Sequence, residues 1–159
     1  MARKLPRRRF VRGTAAALVL GGLAGCTGNG DDGPDYEMLD DVPAEIDEFL
    51  ANARGYDGRI ADGTGADEVV VAVGAGDGGL AYGPAAIAID AGTTVVFEWT
   101  GAGGGHNVAS TDDSATDFES DLTSSEGATF EQTFDDPGQQ FYVCTPHEGQ
   151  GMLGAISVE

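Results

Sequence analysis

From Val69 onward the chain alternates apolar and polar positions in short runs. Val69, Val71 and Val73 share one side of an extended stretch, as do Ile87 and Ile89 in a second and Val95, Phe97 and Trp99 in a third. A period of two places such residues on one face of a strand. Phe130 within ATFEQTF, the run Phe141-Tyr142-Val143 leading into Cys144, and the closing Ala155-Ile156-Ser157-Val158 add further strands. Between them lie the Gly- and Asp-rich stretches GAGDGG, IDAGTT, TGAGGGH and DDPGQQ, which read as turns. The pattern predicts an all-β domain, an antiparallel sandwich of short strands. No helical run of crossover length separates the later strands, which speaks against a parallel sheet. There is no internal repeat. The acidic stretch from Asp112 to Glu126 carries weak strand signals and is expected to be a surface loop.

Upstream the period changes. Val42, Ile46, Phe49, Leu50 and Ala53 recur at helical spacing, with Pro43 near the start and Gly55 just beyond, so a short amphipathic helix leads into the sandwich. Residues 27–41, TGNGDDGPDYEMLDD, are polar and acidic, and read as a flexible tether between residue 26 and a domain spanning 42–159.

Residues 1–25 have the layout of a signal peptide. A basic segment (Arg3, Lys4, Arg7, Arg8, Arg9, Arg12) precedes a run of small and apolar residues from Thr14 to Gly25, too short to span a bilayer, which needs about 20. Arg7-Arg8-Arg9-Phe10-Val11-Arg12 resembles the twin-arginine export motif, and Leu23-Ala24-Gly25-Cys26 resembles a lipobox, whose cysteine is lipidated and becomes the first residue. These motifs imply a protein exported in the folded state and held by a lipid on Cys26 at the outer face of the cytoplasmic membrane.

Charge sharpens the picture. All 27 Asp and Glu residues but only two of the eight basic ones, Arg54 and Arg59, follow residue 25, so that part carries a net charge of −25. Such a surface excludes nucleic acid as a partner, because phosphate binding needs a basic face. It fits a protein of concentrated salt, where repulsion among carboxylates is screened within about 3 Å at 1 M.

The candidate chemistry is concentrated near the C-terminus. Cys144-Thr145-Pro146-His147-Glu148-Gly149-Gln150-Gly151-Met152 has the spacing Cys-x2-His-x4-Met on one loop between the last two strands. A second histidine, His106, follows the glycine run at 101–105. Two imidazoles, one thiolate and a weak axial thioether form the ligand set of blue copper electron-transfer sites. Zinc suits Cys and His but seldom Met. Taken singly, Cys144 reads as a small buried hydrophobe, His147 as a surface histidine and Met152 as a core residue.

At these residues the sequence resembles the cupredoxins. It is similar to plastocyanin in the CTPHEGQGM loop, and to the halocyanins of salt-loving archaea over residues 42–159, including the leading helix, YDG at 56–58, EWTG at 98–101 and HNV at 106–108. The resemblance implies a Greek-key β-sandwich holding one type 1 copper ion through His106, Cys144, His147 and Met152. It further implies that Asn107 ties the two ligand loops together through Thr145 and turns its backbone N–H toward the thiolate. Pro146 has no N–H to offer the sulfur, which in this family accompanies a fairly high potential. Plant plastocyanin carries a Tyr immediately before the ligand Cys as a remote electron route. Val143 stands there in this chain, and Tyr142 points to the other face by strand alternation, which leaves the edge of His147 as the place where electrons enter and leave.

The implied function is single-electron transport between membrane redox proteins, by a monomer that is not an enzyme. Copper enzymes acting on oxygen or nitrite need further His-bound coppers, and both of the 2 His are already assigned. A copper chaperone or store is the other reading. It would favour an open site rich in Met or Cys, and Met38 is the only further methionine beyond the initiator.

Overall fold

The computed structural model describes residues 34–159, so the expected signal peptide (1–25) and the expected lipidation site, Cys26, lie outside the described residues. Ten strands and one α-helix follow in chain order, besides two short 3-10 turns at Asp77–Gly79 and Thr145–Gln150: β1 (Met38–Leu39), α1 (Ala44–Phe49), β2 (Ile60–Asp62), β3 (Glu68–Ala75), β4 (Ala81–Gly83), β5 (Ala86–Ile89), β6 (Thr93–Trp99), β7 (Ala109–Ser110), β8 (Thr129–Phe134), β9 (Gly138–Val143) and β10 (Leu153–Val158). One sheet runs β1-β2-β5-β10-β9-β7 and the other β4-β3-β6-β8. Among the described residues no helix is long and apolar enough to cross a membrane.

The sandwich is as expected, but its sheets are mixed rather than purely antiparallel. β3 pairs parallel with β6, and β2 and β10 both pair parallel with β5. The expectation failed because it took a helix to be the only way of returning a chain to a parallel neighbour. Here the return passes through the opposite sheet: β4 lies in one sheet, β5 in the other and β6 back in the first. Such over-and-back connections are the Greek-key pattern.

Alternation along each strand sorts residues between two apolar layers. Val71, Val73, Phe97 and Trp99 of one sheet meet Ile87, Ile89, Tyr142 and Ile156 of the other in the main core. The intervening Ala86, Ala88, Phe141 and Ala155 face outward, where Ile46 of α1 and Leu50, which caps its C-terminus, cover them. The Phe49 and Phe141 rings lie 4.9 Å apart in this second layer. A helix of 6 residues is too short to persist alone. Full burial of Ile46 and Leu50, about 1.5–3 kcal/mol each, holds it in place.

Two segments are more ordered than the sequence indicated. The supposed tether up to residue 41 already belongs to the domain at its end. Met38 and Leu39 pair with Ala61 and Ile60, and the Tyr36 hydroxyl donates to the Val70 carbonyl at 3.0 Å while accepting the Val70 N–H at 2.8 Å. Pairing along an edge strand supplies the stability that acidic composition alone denies. The loop at 112–126 is pinned by Phe118, only 6% exposed, whose ring packs against Phe134 at 5.3 Å. Gln140 fixes the same loop, its buried side-chain carbonyl accepting from Ser114 Oγ and Thr116 N, both at 2.9 Å. Gln140 also lies within β9, which begins at Gly138, inside the stretch read as a turn.

Candidate metal centre

His106 ends the loop that follows β6. Its N–H donates to the Thr123 carbonyl at 2.9 Å, and its own carbonyl accepts from Thr123 N at 3.0 Å and Trp99 Nε1 at 3.1 Å. The side chain is 1% exposed, and Nε2 donates to the Ala102 carbonyl at 2.7 Å. A hydrogen bond on Nε2 leaves Nδ1 as the free lone pair, the arrangement a metal-binding histidine needs.

The other candidates come from the connection between β9 and β10. Cys144 N donates to the Met152 carbonyl at 3.1 Å and closes the loop at its base, and residues Thr145–Gln150 form a 3-10 helix. Within it His147 N donates to the Cys144 carbonyl at 3.0 Å, which turns the imidazole back over the sulfur. Cys144 and Met152 are fully buried and share the main core, whereas His147 is half-buried.

Three donor atoms converge. His106 Nδ1 and His147 Nδ1 are 3.1 Å apart, and Cys144 Sγ lies 3.7 Å from the first and 3.4 Å from the second. A triangle of those sides has a circumscribed radius of about 2 Å, the distance at which a metal binds imidazole and near that for thiolate. Among the described residues this is the one group of three or more His, Cys, Asp or Glu able to hold a metal. Two nitrogens, one sulfur and no carboxylate, with a buried thioether in the same core cluster, suit copper.

Without a metal the surroundings favour neutral imidazole at His106 and protonated sulfur at Cys144, so a bound metal would have to displace the thiol proton. Burial holds the His106 pKa below the ordinary histidine value, against a bond to Ala102 that acts the other way. Burial pushes the Cys144 thiol up, while the N–H groups of Asn107 and His147, both directed at the sulfur, favour the thiolate. Thr145 N donates to Asn107 Oδ1 at 2.8 Å, and Asn107 Nδ2 donates to Thr145 Oγ1 at 3.1 Å, so the expected tie between the ligand loops is a double one. Pro146 is exposed in the first turn of the 3-10 helix.

Three supporting residues were not legible in the sequence. Ala102 acts through its carbonyl and Thr123 through its backbone, so neither side chain gives a signal. Tyr82, whose hydroxyl donates to the Asn107 carbonyl at 2.6 Å, sits beneath the site where it reads only as a core aromatic.

Sequence comparison with known proteins agrees with a copper-binding donor set. A family model of copper binding proteins, the plastocyanin/azurin family, matches residues 69–159. A halocyanin of Natronomonas pharaonis is 53% identical over 160 residues, covering 98% of this chain and 98% of the relative. A plastocyanin of Vicia faba is 38% identical over 99 residues, 57% of this chain and 99% of the relative. Among solved structures, a copper-containing nitrite reductase from Thermus scotoductus superposes on 58% of this chain and 22% of its own, with a TM-score of 0.49 and 25% identity.

Proposed function

The chain belongs to the plastocyanin/azurin family of copper binding proteins, a halocyanin-like cupredoxin, and we propose that it carries single electrons between membrane redox proteins through Cu(I)/Cu(II). The observation that carries this reading is the convergence of His106 Nδ1, His147 Nδ1 and Cys144 Sγ, with Met152 buried beside them. Copper, when bound, supplies a one-electron couple; the chain supplies a cage that stays put. Ala102 fixes the His106 tautomer, Asn107 and Thr145 lock the two loops, and the buried Cys144 and Met152 exclude water. A cage held from both sheets reorganises little between oxidation states. A store or chaperone is less well supported, because only the His147 edge of the site reaches the surface.

Exchange is proposed to occur at that edge. Pro146 and Gly149 are exposed beside it, and Leu122, 63% exposed, stands against Gly105 next to His106. Leu122 is the one exposed large hydrophobic among the described residues, and the sequence did not single it out; Leu153, at the end of the ligand loop, is half covered by the α1 layer. In strong salt the screening length of about 3 Å at 1 M leaves such apolar contacts, rather than carboxylates, to dock a partner. Coulometric titration of the copper-loaded protein is expected to return one electron per chain reversibly. Leu122→Asp is expected to slow exchange with the native partner several-fold without altering that titration. Fewer or more electrons per chain, or an indifferent Leu122→Asp, overturns the corresponding half of the proposal.

The place of action is proposed to be the outer face of the cytoplasmic membrane, through a lipid on Cys26. Cys26→Ser is expected to leave uncleaved precursor or to release protein into the medium. A variant that is cleaved normally and sediments with membranes like the wild type would refute the anchor.

A further inference from the structure

The copper loop is braced at both ends, and the second brace involves an unusual use of charge. At its start Thr145 is tied to Asn107. At its end the carbonyls of Gln150 and Gly151 both accept hydrogen bonds from one residue, Arg54: its Nε donates to Gln150 at 2.8 Å and its backbone N–H to Gly151 at 2.8 Å. Gly151 has φ +84°, and a Cβ there would lie 2.7 Å from the Asn52 carbonyl, so the loop sits directly on the turn 52–54. That turn is no loose strap. Ala53 N donates to the Leu50 carbonyl at 2.8 Å, and Leu50 and Ile46 are fully buried against the sheet.

Arg54 and Arg59 are the only cations among the described residues of a chain with 27 acids. Arg59 pairs with Asp57, which is the one ion pair among the described residues. Arg54 instead donates to a neutral carbonyl of the copper loop. The residue directly after this clamp is Met152. In blue copper sites the thioether is a weak ligand that tunes the potential, so if Met152 held the metal, the backbone of the loop rather than that bond would decide where its sulfur stands. The exposed guanidinium beside the loop also favours the less positively charged, reduced site in dilute buffer, where salt does not screen it, so the potential is to be measured at low ionic strength.

We propose that Arg54 is a positioning residue for the copper site, setting Met152 through Gln150 and Gly151 and thereby the hold on the metal and its potential. The inference rests on the copper reading above. Its test compares Arg54→Ala, Arg54→Gln and Arg54→Lys in the mature chain. Measured are copper transfer to a chelator, the reduction potential, and amide exchange of Gly151 and Met152 in the copper-free protein. In Arg54→Ala, copper release is expected to be roughly two- to tenfold faster, the factor one net hydrogen bond is worth. Exchange at Met152 should rise and the potential should fall. Gln, which keeps a donor, is expected to recover the release rate more than the potential; Lys, which keeps the charge, should recover the potential.

Unchanged release, potential and exchange in Arg54→Ala overturn the proposal. So does an equal loss of melting temperature in all three variants with the potential unmoved, since that is what a merely structural residue would give. A wild-type protein that is not blue defeats the copper reading, while the exchange measurement still decides whether the clamp holds Met152.

Discussion

Cys144→Ser is expected to abolish the intense red absorption of the oxidised, copper-loaded protein and to leave the sandwich folded. The colour of a blue copper site arises from charge transfer between thiolate and metal, and Cys144 is the only thiol among the described residues. A serine oxygen in its place is a hard, protonated ligand that cannot replace the soft sulfur. The fold should survive because the Cys144 backbone, which donates to Met152 and accepts from His147, is untouched. Serine also fits the volume, and its hydroxyl lies where the N–H groups of Asn107 and His147 already point. The cost is that of burying one partly satisfied hydroxyl, about 1–3 kcal/mol. Far-ultraviolet circular dichroism of the variant should match the wild type, with the charge-transfer band gone. A variant that keeps the band would show that sulfur from Cys144 is not the ligand.

How much of this was readable beforehand depends on where each signal resides. Side chains with a period or a chemistry announced themselves: the strands around Val71, Phe97 and Ile156, and the Cys-x2-His-x4-Met loop. His106 stands 38 residues from Cys144 and was legible as the only other histidine, after the glycine run, and from the likeness of HNV at 106–108 to the family. Contributions made through backbone were silent. The carbonyls of Ala102, Gln150 and Gly151 belong to residues whose side chains say nothing of a metal. Mixed sheets were missed because pairing direction is decided by which sheet the chain visits in between, and no local period encodes that. The order at Tyr36–Leu39 was missed because three apolar residues among acids look unstructured until an edge strand offers them partners.

The glycine run 101–105 shows the same limit and gives the second large effect. Read in sequence it is only a turn; in the fold it is where two backbones touch beside a ligand. A Cβ on Gly103 would lie 2.8 Å from His106 Nε2 and closer still to the backbone of Gly79, and φ there is +80°. No side-chain rotation can relieve a collision with backbone. Gly103→Ala must therefore part the 101–105 loop from Gly79, displacing the Ala102 carbonyl that holds the His106 tautomer. The left-handed conformation costs a β-carbon about 1–2 kcal/mol, and overpacking adds about 1–3 kcal/mol. Gly104→Ala is the control, since φ is +91° and a Cβ meets nothing within 4 Å, leaving conformational strain alone. Gly103→Ala is expected to lose roughly 2–5 kcal/mol in denaturant unfolding of the copper-free protein and to release copper faster. Gly104→Ala should lose only about 1–2 kcal/mol and keep its hold on the metal. Equal losses in the two variants, with copper release unchanged in both, would mean that the contact between Gly79 and Gly103 does not support His106.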